Sequence, residues 1–394
     1  MHVAWCRRMN GWHWCLAVVM VLGGCSGGGN TGGSVTASVC NVPPTVSPSS
    51  PAIGMVAMRV GHTATWLPSG DILVVGGHGM GGVLSSAEVY RPTGNQWISA
   101  EDSGIPRAGH SAVILANGDV LVTGGYGSAG VTASAGLYHQ DAGTGLTTWR
   151  ATASLPAPRA NHTTTLLANG QVLLVGGHDD VGNPTMTAAL YDPTAEAWTQ
   201  TSNMTNPRVA HIATLLTGGQ VLVSGGRDLN GVHSSVEVYD PQAGVWAAGG
   251  SLMQARAGHT AVVLRDGDVL VVGGFGFTDV LATVERYHAD PATGIGAWTS
   301  AASLGVPRVL HSAVTLSPDS VLVSGGIGVD GQVTSSELYD AVTDRWRVTG
   351  SLAVPRANHT ASLLQDGSVL FVGGMALRAG LSTAERTIPG VQAV

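Results

Sequence analysis

Seven times along the chain an arginine is followed three residues later by a histidine: Arg59/His62, Arg107/His110, Arg159/His162, Arg208/His211, Arg256/His259, Arg308/His311 and Arg356/His359. Guanidinium and imidazole groups at fixed spacing are the material of a ring-shaped anion site or a multi-histidine metal site. Constant recurrence argues instead for a structural duty. A residue present in every copy of a unit serves what every copy needs, here filling and hydrogen-bonding the seam with the next copy. A buried arginine also requires a carboxylate or carbonyls. Glu88, Glu237, Glu285, Glu337 and Glu385 recur at one equivalent position and are expected to supply it, whereas Gly136 and Ala189 interrupt that series.

The chemistry that could be specific to this protein lies where the pattern varies. A Gly-Gly pair begins 17 residues after each arginine, at Gly76, Gly124, Gly176, Gly225, Gly273, Gly325 and Gly373. The next residue changes every time or nearly so: His78, Tyr126, His178, Arg227, Phe275, Ile327 and Met375. Two of the loops that follow carry charge, His178-Asp179-Asp180 and Arg227-Asp228. The candidate ligand-binding residues are therefore His78, Tyr126, His178, Asp179, Asp180, Arg227, Asp228 and Phe275. Aromatic, imidazole, guanidinium and carboxylate groups gathered on loops suit a binding pocket. An acid/base isomerisation would need only a carboxylate and an arginine, with Asp179, Asp180 or Asp228 beside His178 and Arg227 as the alternative reading. His78, His178, Asp179 and Asp180 could ligate a metal, but their spacing is not specific to one. No nucleophile elbow or zinc signature is present, so no catalytic residue, metal or cofactor is assigned.

The elements that position these residues are short strands. After each histidine comes an apolar run, a turn such as Asn117-Gly118-Asp119 or Asp266-Gly267-Asp268, and a second apolar run into Gly-Gly. Two β-rich runs joined by Asn-Gly or Asp-Gly read as a hairpin. A third run ends in tyrosine (Tyr90, Tyr138, Tyr191, Tyr239, Tyr287, Tyr339) and a fourth starts at tryptophan (Trp97, Trp149, Trp198, Trp246, Trp298, Trp346). Both aromatic series read as packing between units. Successive arginines lie 48, 52, 49, 48, 52 and 48 residues apart. Four short antiparallel strands repeated around a ring make a propeller.

The order Arg-x-x-His, strand, Gly-Gly, Tyr, Trp over residues 59 to 387 resembles the kelch repeat. The resemblance implies an all-β, seven-bladed β-propeller of kelch repeats with four antiparallel strands per blade. It also implies that the face bearing the arginines, the Gly-Gly pairs and the variable loops, at the mouth of the central channel, carries the binding site. The seventh unit stops at Glu385-Arg386-Thr387 without its tryptophan strand, so the stretch from Ala52 to Val56 is expected to close the ring and hide its edges. Kelch propellers occur both as interaction scaffolds and in carbohydrate-active enzymes. The radical copper chemistry of galactose oxidase requires a cysteine crosslinked to a tyrosine, and no cysteine follows Cys40. A mutarotase-like isomerase remains the enzymatic alternative.

Composition bounds the rest. Of 394 residues only 11% are charged, the formal net charge is −7, and all 18 basic residues are arginine. Without clustered positive charge, nucleic acid is not an expected partner; without lysine, Schiff-base chemistry is excluded. The four cysteines, Cys6, Cys15, Cys25 and Cys40, all precede the repeats, so the repeats hold no disulfide and no thiolate zinc site. Arg7-Arg8, the apolar run Trp12 to Leu22 and the sequence Leu22-Gly23-Gly24-Cys25 resemble a bacterial lipoprotein leader. Residues 1–24 are read as the signal peptide, Cys25 as the lipidated residue, 25–51 as a Gly/Ser/Pro-rich tether and 52–394 as the propeller. The expectation is an exported, monomeric protein of the cell envelope, at the outer membrane or cell surface. It would touch the membrane only through its lipid and bind a protein or glycan.

Overall fold

In a computed structural model, residues 50–52, 54–141, 144–377 and 379–387 are described. The leader, Cys25 and the tether up to residue 49 lie outside the described residues. The described residues from Ser50 to Thr387 form seven four-stranded antiparallel sheets, with two-stranded hairpins in four of the loops. The first blade shows the pattern: strands Thr63–Trp66, Ile72–Val75, Ala87–Arg91 and Gln96–Ser99, each paired with the one before. The first strand of each blade touches that of the next, and Thr360–Leu363 of the seventh blade touches Thr63–Trp66 of the first. The first strands therefore line the axis of a closed ring.

Burial follows from this geometry. The second strand of each blade, such as Val120–Thr123 or Val269–Val272, is buried along its length, save for half-buried Ser320 at the start of Ser320–Ser324, because neighbouring blades cover both of its faces. Such strands read as continuous apolar runs rather than as an alternating pattern. The core is divided among seven seams. Ile72, Val74 and Tyr90 pack on Leu370 and Val372 of the last blade, and Leu73 and Val75 pack on Val120, Val122 and Tyr138 of the second. Each Tyr–Trp pair is a cross-strand pair with ring centroids 4.8 to 5.2 Å apart. The indole N–H of Trp149, Trp198, Trp246, Trp298 and Trp346 donates to a backbone carbonyl at the end of the preceding blade.

The ring closes through Ser50–Ala52, which pairs antiparallel with Ala384–Thr387 as the outermost strand of the seventh blade. This segment begins slightly earlier than the expected Ala52–Val56, and it takes Ser50 and Pro51 from the stretch read as tether. An outermost strand pairs along one side only, so a proline is admitted there. Because Ser50 lies opposite Arg386 and Ala52 opposite Ala384, the strand runs towards the arginine face. The chain thus joins the propeller on the side of the hairpin turns.

Candidate functional site

Strand direction places the seven arginines, the Gly-Gly pairs and the loops after them on one face, around the channel mouth. The arginines themselves are consumed. Arg59 Nη1 donates to the carbonyls of Gly76 (2.8 Å) and Ser86 (2.9 Å), and Nη2 donates to Ser86 Oγ and to Glu88 Oε1 at 2.9 Å. Glu88 in turn accepts from the backbone N–H of Val56 and Ala57. The same arrangement holds for Arg208/Glu237, Arg256/Glu285, Arg308/Glu337 and Arg356/Glu385, with ion pairs of 2.5 to 2.7 Å. All ten of these side chains are buried.

Arg107 and Arg159 belong to the two blades in which Gly136 and Ala189 replace the glutamate, and no carboxylate pairs with them among the described residues. They keep the carbonyl and hydroxyl partners, Gly124 and Ser134 for Arg107, Gly176 and Thr187 for Arg159. Burial without a counter-charge lowers each pKa to about 10. The backbone donors that the glutamate would have satisfied are also changed. Gly104 N–H is capped by Asp102 Oδ1 at 2.8 Å, and the equivalent residue of the third blade is Pro156, which has no N–H. Where the glutamates are missing, the second blade satisfies these donors locally, through Asp102 and Ser103, and the third blade has one donor fewer. These two arginines stay buried, so they are no freer to hold a ligand than the rest.

The histidines stitch the seams. Each Nε2 pairs with a hydroxyl of the preceding blade at 2.8 to 3.0 Å: His62 with Thr360, His110 with Thr63, His162 with Thr123, His211 with Thr163, His259 with Ser224, His311 with Thr260 and His359 with Ser312. Burial, reinforced by the neighbouring arginine charge, holds all seven neutral; the pKa of His62, His162, His211 and His311 falls to about 3. The first glycine of each pair makes room for this contact. A Cβ on Gly124 would stand 2.4 Å from the Arg159 carbonyl oxygen and 2.8 Å from His162 Cε1.

Above this constant layer lie the variable residues. His78, Tyr126, His178, Arg227 and Phe275 each form a backbone bridge with the residue after the arginine of their own blade, as do Ile327 and Met375. All seven are half-buried. Tyr126 Oη lies 3.2 Å from His178 Nδ1, and Asn161 Nδ2 donates to Tyr126 Oη at 3.4 Å, so the second and third blades join in one polar cluster. Burial lowers the pKa of His78. Two expected carboxylates turn inward on their own loops. Asp179 Oδ1 accepts from Val181 and Asn183 N–H, and Asp228 Oδ1 accepts from Asn230 and Gly231 N–H. Burial opposes ionisation of Asp228, but these N–H donors and His233 outweigh it and lower its pKa. Asp180 is exposed. Among the described residues no group of three His, Cys, Asp or Glu side chains could hold a metal.

Sequence reasoning missed the layer between. Gly61, Gly109, Asn161, Ala210, Gly258, Leu310 and Asn358, each directly before a seam histidine, have φ of 52 to 68°. Their backbones hydrogen-bond from blade to blade, Gly109 to Gly61 (2.8 Å), Asn161 to Gly109 (2.7 Å), Gly258 to Ala210 (2.9 Å), Leu310 to Gly258 (3.2 Å) and Asn358 to Leu310 (2.9 Å). Glycine and asparagine at five of the seven positions were the available signal, since both tolerate the left-handed region. Ala210 and Leu310 occupy it at a steric cost of about 1–2 kcal/mol each. On the opposite face two open clefts lie between hairpin turns, one of about 530 Å³ beside Asn117, Gln171 and Asp192, the other of about 440 Å³ beside Arg265, Asp266 and Asp319.

Comparison with known proteins agrees with this architecture. Residues 61–274 match the family model described as the KLHDC2/KLHL20/DRC7 Kelch-repeats domain. No curated protein matches the chain. Among solved structures, a fungal alcohol oxidase of the AA5 family in complex with copper is similar at a TM-score of 0.70 and 18% identity, over 86% of this chain and 76% of that one. YjhT is similar at a TM-score of 0.56 and 18% identity, over 73% of this chain and 95% of that one. At such identities the likeness is one of fold.

Proposed function

The chain belongs to the kelch-repeat family, and from that premise we propose that it is a binding module. Its ligand, a protein or a glycan, is held on the mouth face by the residues that follow each Gly-Gly pair. One observation carries the reading: seven residues in equivalent backbone positions bear six different side chains, while the arginines and histidines beneath them are constant, buried and hydrogen-bonded within the ring through Arg Nη and His Nε2. Constancy below and variety above is what a scaffold with a particular ligand requires. The Tyr126–His178–Asn161 cluster supplies a hydrogen-bonded polar patch on that face. A mutarotase-like isomerase has less support, because Asp179 and Asp228 spend their oxygens on their own turns rather than on a common point.

The proposal includes export, lipidation at Cys25 and a tether to the cell envelope, supported by the leader-like sequence Leu22-Gly23-Gly24-Cys25. The closing strand Ser50–Ala52 enters the propeller on the hairpin side. The test is thermal unfolding of the protein in the presence of mono- and oligosaccharides and purified envelope proteins. A ligand at a hundredfold excess over its Kd stabilises the folded state by about 2.7 kcal/mol and raises the midpoint accordingly. The shift should vanish in His178→Ala or Arg227→Ala. A shift that survives both, and is lost instead on substitution of Gln171 in the hairpin-face cleft, would refute the mouth as the site.

A further inference from the structure

We propose that the rim of the mouth face is an apolar crown, flanked by carboxylates along its third to sixth blades, that receives a basic polypeptide segment bearing apolar side chains. The proposal rests on the reading of the mouth as the binding face and names its partner. Six of the seven loops after the Gly-Gly pairs carry a large apolar residue at the tip: Met80, Val181, Leu229, Phe277, Val329 and Leu377. They are 44 to 88% exposed. Five stand four residues after the first glycine of their pair, and Val181 stands five after, because its loop is one residue longer; the second blade has Ser128 in this place. Isolated exposed apolar side chains need no explanation, but the same backbone position used in six blades around one opening is a surface.

The loops that display these residues are braced against one another. Gln332 of the sixth blade donates to the Met375 carbonyl (2.9 Å) and accepts from Leu377 N–H (2.7 Å), which fixes the seventh loop. Leu377 itself is held at φ 47°. The Phe277 ring leans over the fourth-blade loop, 3.7 Å from where a Cβ on Gly231 would stand. Tyr126 and His178 tie the second loop to the third. Tips held in advance lose little freedom on binding.

Charge selects the partner. The seven loops contain Asp179, Asp180, Asp228, Asp279 and Asp330 against Arg227 and Arg378, and no glutamate. Asp180, Asp279 and Asp330 are exposed beside the apolar tips. An anionic lipid surface would be repelled by this rim, whereas a segment carrying arginine or lysine between apolar side chains complements it.

The test is selection of a displayed random dodecapeptide library on the full-length protein, with recovered peptides assayed against Leu229→Ser/Phe277→Ser and against Tyr126→Ala/His178→Ala. The substituted tips are exposed, and an unchanged melting midpoint verifies that the variants fold. The expected result is net-positive, apolar-containing peptides whose affinity falls at least tenfold in the Leu229→Ser/Phe277→Ser variant and several-fold between 50 mM and 500 mM salt. Recovered peptides that are acidic, peptides indifferent to the tip substitutions, or recovery of none would overturn the proposal. Peptides lost only on Tyr126→Ala/His178→Ala would leave the mouth as the binding face and remove the crown. Sedimentation with phosphatidylglycerol vesicles, abolished by the tip substitutions, would overturn it in favour of a membrane.

Discussion

Mild acid should unfold this protein far more readily than its few exposed histidines would suggest. The seven seam histidines are neutral in the folded state, and four of them have a pKa of about 3 against an ordinary 6.5. Above pH 6.5 neither state binds the proton, and the seam contributes its full stability. As the pH falls below 6.5 the unfolded chain takes up protons that the folded ring refuses, so stability is lost progressively down to about pH 3. At pH 5.5 each such histidine costs about 1.4 kcal/mol, so the four together cost about 6 kcal/mol. His110, His259 and His359, also lowered well below the ordinary value by burial and by Arg107, Arg256 and Arg356 respectively, act in the same direction. A folded domain has only about 5–15 kcal/mol to lose. The aspartates with lowered pKa, such as Asp228 and Asp366, begin to matter only at more acid pH, so the window from 6.5 to 5 reports the histidines. The assay is guanidinium unfolding followed by tryptophan fluorescence at pH 8.0, 6.5, 5.5 and 5.0. Between pH 6 and 5 stability should fall by more than about 4 kcal/mol, and His211→Gln should reduce that slope by roughly one proton, about 1.4 kcal/mol per pH unit. A loss below about 1.5 kcal/mol over the same interval would refute the neutral, proton-excluding seam.

Two further outcomes test the framework. Gly225→Ala would bring a Cβ within 2.4 Å of the Arg256 carbonyl oxygen at a φ of 57°, and should cost at least about 2 kcal/mol in denaturant unfolding, whereas Gly81→Ala, with open space around it, should be neutral. Arg208→Met strands the buried Glu237 carboxylate and should cost about 3–5 kcal/mol, while Arg107→Met strands only carbonyls and a hydroxyl and should cost about 1–3 kcal/mol; equal losses by calorimetry would contradict the pairing described above.

Much of the architecture was legible because its signals are local and repeated. Asn117-Gly118 marks a hairpin, with Gly118 at positive φ and Asn117 Oδ1 accepting from Asp119 N–H, and the run Val269–Val272 is apolar at every position because both sheet faces are covered. The interruptions at Gly136 and Ala189 were visible too, but their consequence was not. Arg107 and Arg159 gain no freedom because both stay buried against carbonyls and hydroxyls of their own blades, partners that meet them only once the strands are folded. The closing strand was displaced for the same reason. A proline argues against a strand until pairing decides that the strand is outermost.

The sequence by itself determined the repeat, its seven copies, the strand order within each and the face on which the variable residues lie, because hydrogen-bonded hairpins and apolar seams are written in residue types at fixed spacing. Only the tertiary structure decided which polar groups are spent. Arg59 and His62 turned inward to partners in their own and the adjoining blade, Asp179 and Asp228 turned back on their own loops, and Tyr126, Asn161 and His178 were brought from two blades into one cluster. Met80, Leu229, Phe277 and their counterparts were set around a single opening only by closure of the ring. Such convergence depends on the distance between segments about 50 residues apart, and closing the ring is what sets that distance.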